Sequence, residues 1–282
     1  MKFLPMLAKV LALTVILFVC FAFGSTVAMR GVTQSPQSGG SAAFTLVLVC
    51  FLQTMGVSYL ILRSRWSGWR LIAAIFVVYY GVTTFMPQIE SAVFLTRLPA
   101  GMLPRLFLMG LLIAIPFSIL AVVILGKRES AGQPTADHFH LKLPVSEWSW
   151  KLALIAVVYV VLYFTFGYFI AWRSPAVREF YGGADSGNFF GQMQTVLRDT
   201  PWLIPFQIFR AICWAGIAVV VIRLLEAGKS ETALVLGYMF AVVMCAPLLL
   251  PNPYMPEPVR MTHLTETASS NFIFGVFVGW ML

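Results

Sequence analysis

The chain has 282 residues, of which 60% are hydrophobic and only 11% charged, against about 45–50% and about 25% in an ordinary soluble domain. That much apolar side chain cannot be hidden from water, which excludes a soluble globular protein. The net charge of +8 comes from 19 Lys and Arg residues scattered singly between apolar blocks, so it reads as membrane topology signals and excludes a basic stripe for nucleic acid.

In chain order the uninterrupted apolar runs are 10–29, 42–62, 71–89, 106–126, 152–172, 201–222, 233–250 and a last segment that ends at Leu282. Each is close to the ~20 residues that cross hydrocarbon as a helix, and too long and too weakly alternating for a barrel strand. The expected fold is therefore all-α, a polytopic transmembrane helix bundle of about eight spans. Lys2 and Lys9 before the first run, with Ala22-Phe23-Gly24 after it, also resemble a secretory signal. The uncharged stretch exceeds the usual ~7–15 residues of a signal core, so the first run is expected to be a retained span.

With the N-terminus inside, 11 Lys and Arg residues fall on the inner side and 7 on the outer, leaving Arg210 within a span. This bias predicts both termini cytoplasmic in a multi-pass protein of a cell membrane, of the bacterial inner-membrane type. Residues 129–151 form the longest inner connection. They hold His138 and His140, which read as a solvated loop for want of further ligands, and Trp148 and Trp150, which suit an interfacial belt. Cys20, Cys50, Cys213 and Cys245 lie inside apolar runs without Cys-x-x-Cys spacing, against a disulfide framework or a zinc site. The methionines lack clustering with His or Cys and read as core filling rather than copper ligands.

Two halves of the chain echo each other. Phe21-x-Phe23-Gly24 with Ala28 and Arg30 matches Phe164-x-Phe166-Gly167 with Ala171 and Arg173 at an offset of 143. Gly56, Arg63, Gly68, Ala73 and Pro87 match Gly216, Arg223, Gly228, Ala233 and Pro247 at an offset of 160. The pattern predicts two tandem four-helix repeats in the same orientation, 1–128 and 152–282, with an enlarged outer loop at 174–200 in the second. Low residue diversity in apolar segments can imitate a repeat, but Gly, Pro and Arg at constant offsets argue against chance.

Polar residues found in one half only are the candidates for function. Arg210 is one, since its counterpart at 160 residues earlier is Cys50. It lies about 20 Å before Arg223 along a helix, well inside a hydrocarbon core of about 30 Å, and either snorkels outward or needs an acidic partner. In the last segment Arg260, His263 and Glu266 recur every third residue and Ser270 extends them, giving a polar band on one helix face. The expected partner of Arg210 is Glu266 first and Glu90, at the end of the third span, second.

The band itself has three readings: a helix start at the headgroup boundary, a metal site on His263-x-x-Glu266, or the lining of a solute cavity. No motif names a reaction, no cofactor or metal is expected, and the balance is against an enzyme. The expected partners are the lipid bilayer and a small solute or lipid headgroup, with no nucleic acid. The favoured function is permease-like, or solute- or headgroup-binding, with a polar site of Arg210, Glu266, His263, Arg260, Glu90 and Ser270 near the outer face. The alternatives are an intramembrane metal-dependent enzyme using His263 and Glu266, and an accessory protein without a substrate site.

Overall fold

A computed structural model describes residues 3–32, 39–95, 98–127, 144–184 and 187–282. Among them the fold is all-helical, with no β-structure beyond two isolated bridges. Much of the 129–151 connection, including His138 and His140, lies outside the described residues. The part that is described shows α6 beginning at Val145, so Trp148 and Trp150 stand on its first turns rather than in a loop.

Among the described residues seven helical stretches are long and apolar enough to cross a membrane. These are α1 (Phe3–Ala28, apolar over Leu4–Ala28), α2 (Gly39–Leu62, apolar over Ala42–Leu62), α3 continued by α4 (Gly68–Phe94), α5 (Met102–Ile124), α6 with a following turn (Val145–Ala171), α9 (Leu203–Leu224), and α10 with its continuation (Lys229–Leu249). The last expected span corresponds to α11 (Glu257–Met281). It is long enough at 25 residues but is not among the seven, since Glu257, Arg260, His263 and Glu266 are followed by Thr267, Ser269, Ser270 and Asn271. Two shorter helices, α7 (Pro175–Tyr181) and α8 (Phe189–Asp199), occupy the loop between α6 and α9. Their ends follow ordinary capping chemistry: Gly182 closes α7 at φ +70°, and Asn188 starts α8 by accepting from the Gly191 amide at 2.7 Å.

Three of the long stretches carry a π-helical turn: Gly81–Phe85 between α3 and α4, Gly167–Ala171 after α6, and Met239–Val243 after α10. A π turn adds about one residue to the helical repeat, so side chains beyond it point in new directions and a carbonyl loses its usual partner. The freed polarity is used inside the bundle. Gln53 on α2, with none of its surface exposed, donates Nε2 to the Val243 carbonyl at 3.1 Å and accepts from the Tyr79 hydroxyl at 2.8 Å.

The exterior is apolar and the interior is where the polar groups gather, the arrangement a lipid solvent demands. Leu7, Leu11, Val15, Val19, Phe23 and Val27 make an exposed stripe along α1, whereas Thr54, Ser58, Gln207 and Arg210 are buried. Small residues set the close approaches. A Cβ on Gly110 of α5 would fall 2.2 Å from Thr84, and one on Gly275 of α11 would fall 2.6 Å from the Leu236 carbonyl.

The two ends of the bundle are marked by hydrogen bonds between connections. At one, here the basal end, Lys127 Nζ donates to the Ser64 carbonyl at 2.9 Å, the Arg65 amide to the Leu224 carbonyl at 2.9 Å, and the Glu226 amide to the Arg63 carbonyl at 2.8 Å. Lys229 Nζ reaches the Trp280 carbonyl there at 3.2 Å, which brings the end of α11 to the same side. At the opposite, upper end Arg105 donates to the Ala28 and Arg30 carbonyls at 3.1 and 2.9 Å.

Candidate functional site

Arg210 stands on α9 with 2% of its side chain exposed. Burying a guanidinium without a partner is costly in hydrocarbon, and the partner is Glu90 on α4. The pair is bidentate, with Nη2 to Oε2 at 2.6 Å and Nη1 to Oε1 at 3.1 Å, the fork geometry that suits Arg to a carboxylate. Gln207, one turn earlier on α9, accepts a third bond from Nη1 at 3.0 Å. Tyr159 and Phe206 offer their ring faces, with centroids 5.7 and 6.0 Å from the guanidinium carbon.

The expected first partner, Glu266, is not the one bonded to Arg210. Its Oε2 is engaged by His263 Nδ1 at 3.1 Å, one turn earlier on α11, and the other ring nitrogen of His263 is 3.1 Å from the Tyr181 hydroxyl at the end of α7. Glu90 takes the guanidinium because α4 packs on α9 and lies beyond the Gly81–Phe85 π turn, which resets the direction of every side chain after it. Burial raises the Tyr181 hydroxyl above the usual tyrosine range, with the charges of Glu90 and Glu266 adding to the shift. It therefore meets His263 as a neutral phenol.

Glu90, Arg210, Glu266 and Ser270 share one small cavity with Tyr159, Tyr163 and Asn271. Its volume is about 20 Å³, room for one water molecule. Two carboxylates and one guanidinium line it, and Glu266 is held by His263 and, at 3.4 Å, by the Thr267 hydroxyl. Arg260 stands apart: it is turned toward α10, where Nη1 donates to the Leu248 carbonyl at 3.1 Å and to the Leu250 carbonyl. Those carbonyls end the 3₁₀ turn Ala246–Leu249, and Arg260 satisfies them as a cap would. Among the described residues no group of three His, Cys, Asp or Glu side chains could hold a metal, so His263 and Glu266 lack a third ligand there.

Reasoning from sequence did not single out Gln207, Tyr159, Tyr163, Asn271 or Tyr181. Helical spacing could have found one of them, since Gln207 is three residues before Arg210. Tyr181 lies in the enlarged loop, and only the fold carries it to His263. No protein-family model matches the chain, and neither a curated protein nor a solved structure shows significant similarity to it.

Proposed function

We propose that the chain is a permease-like membrane protein of eight spans in two tandem four-span units facing the same way, and that the cavity between Glu90, Arg210 and Glu266 is its solute site in a closed state. The helix packing supports the tandem reading. Within the first half α1 packs on α2 and α5, and α3 on α5; within the second α6 packs on α9 and α11, and α10 on α11. Between halves, α2 meets the continuation of α10 as α9 meets α3 and α4. The π turn at Gly81–Phe85 maps by the 160 offset onto 241–245, overlapping the turn at Met239–Val243.

The observation that carries the functional reading is the Arg210–Glu90 bridge, because it joins the third span of the first unit to the second span of the other, beside Glu266, an acidic group whose partner is His263 rather than an arginine. Transporters bind at such repeat interfaces, near interrupted helices. With Glu90 occupied by Arg210, Glu266 is the acceptor left for a small cationic or proton-donating solute. The basal end is then the cytoplasmic one, and admission from the upper end requires the α7 contact, Tyr181 to His263, to part. The small volume favours one alternative, an accessory protein in which the ion pair only locks the halves together.

Accessibility labelling separates the two. In a background with the four native cysteines replaced, Ser270→Cys in intact membranes should react with a membrane-impermeant thiol reagent from the upper side, and faster when Tyr181→Phe loosens the α7 contact. A Ser270→Cys that stays unlabelled in both backgrounds, in a folded protein, would favour the structural lock.

A further inference from the structure

We infer that the seam between α3 and α9 at the basal end is a binding site for an anionic phospholipid, with the phosphate between Arg70 and Arg223 and an acyl chain lying in the groove above them. The groove has a volume of about 470 Å³ and is open to the outside of the bundle. Its base carries Trp66, Trp69, Arg70 and Arg223, and its upper wall is apolar, with Val77 and Val219 on facing helices. From base to wall the lining passes from cationic and aromatic side chains to aliphatic ones, as a phospholipid passes from headgroup to chain.

The charges fix the class of occupant. Arg70 and Arg223 are both exposed, and among the described residues neither guanidinium meets a carboxylate; Arg70 has only the Trp69 ring, 6.0 Å away. Two uncompensated cations at a membrane boundary attract anionic headgroups, and basic pockets between helices at this depth suit lipid phosphates. Tryptophan beside them suits the headgroup level.

The opposite seam supplies a contrast within the same molecule. Between α2 and α10, Arg63 is bonded by Glu231 at 2.8 and 3.0 Å, and the Tyr59 hydroxyl also donates to that carboxylate at 2.6 Å. The helices close there: a Cβ on Gly56 would meet Val243 at 2.9 Å and Tyr238 at 3.0 Å. At the α3–α9 seam the corresponding arginine is Arg223, the position of Glu231 is taken by Leu71, and a Cβ on Gly216 would meet nothing within 4 Å. One seam thus has its anion built in and is shut. The other lacks the anion, has gained a second cation, and is open.

Brominated-lipid quenching tests this with the full chain in detergent micelles, titrated with phosphatidylglycerol or phosphatidylcholine carrying brominated acyl chains. Brominated phosphatidylglycerol should quench tryptophan fluorescence at a several-fold lower mole fraction than brominated phosphatidylcholine. Trp69→Phe should remove much of that high-affinity component. The exposed double variant Arg70→Gln/Arg223→Gln should shift the midpoint about tenfold, toward the phosphatidylcholine curve, while Arg63→Gln should leave it in place. Equal quenching by the two lipids would overturn the site, as would an unmoved midpoint in the double variant. Inorganic phosphate at millimolar concentration should not displace the lipid; full displacement would show a free-phosphate site and overturn the assignment to lipid.

Discussion

Removing the carboxylate from the Arg210–Glu90 pair tests whether that contact holds the two halves of the bundle together. Breaking a buried ion pair from one side costs about 3–5 kcal/mol, because the remaining charge has lost its partner without regaining water. Here the guanidinium is 2% exposed but the Glu90 side chain is 31% exposed, and Arg210 keeps Gln207 and two aromatic faces. Glu90→Gln should therefore destabilise by about 2–3 kcal/mol, below that range or at its lower edge. Arg210→Met should cost less, about 1–2 kcal/mol, since the carboxylate left behind can be partly hydrated. The double variant should lose less than the sum by about 1–2 kcal/mol. Equilibrium unfolding in detergent or bicelles reads all three. Additivity within about 0.5 kcal/mol would refute the pairing. So would a coupling of Arg210 to Glu266 as large as that to Glu90, because Glu266 is bonded to His263.

Gly110→Ala should destabilise by about 1–3 kcal/mol in the same assay, since its Cβ would overlap Thr84, whereas Gly216→Ala enters open space and should be neutral or stabilising by up to about 1 kcal/mol. Gln53→Leu strands the Val243 carbonyl and the Tyr79 hydroxyl inside the bundle and should cost about 1–3 kcal/mol, visible as a lowered unfolding midpoint. The raised ionisation of Tyr181 makes its contribution to stability complete below the ordinary tyrosine pKa of about 10 and lost as pH rises above it, because the unfolded phenol gives up its proton first. Tyr181→Phe should flatten the fall in stability between neutral pH and pH ~11; an unchanged slope would remove the hydroxyl from the balance.

The helical membrane class was legible because it follows from composition and run length alone, and the seven apolar stretches fall where the runs do. Arg210 was legible for the same reason: a guanidinium in the middle of an apolar run has few tolerable surroundings. Its partner was not. Choosing between Glu90 and Glu266 depends on the phase of the helix beyond Gly81–Phe85, and a π turn has no residue signature. Arg260 read as a member of the polar band because the spacing places it on that face, but its long side chain reaches back to carbonyls left unpaired where the α10 stretch tightens into a 3₁₀ turn. The 174–200 segment read as an inserted loop, although Ser174-Pro175 and Gly182 bracket α7 in the manner of a helix start and stop.

The antiparallel contact of Ser64 with Leu225 has a mechanical meaning. Backbone bonds there tie the connection after α2 to the connection after α9, one from each half of the chain, and Lys127 adds a third connection to the knot. At the other extremity the halves meet mainly through side chains, an ion pair and aromatic edges, which can separate without unmaking backbone structure. Parting the two halves at the Ser64 and Leu225 end would unmake backbone hydrogen bonds, whereas parting them at the level of Glu90 and Arg210 would unmake side-chain contacts.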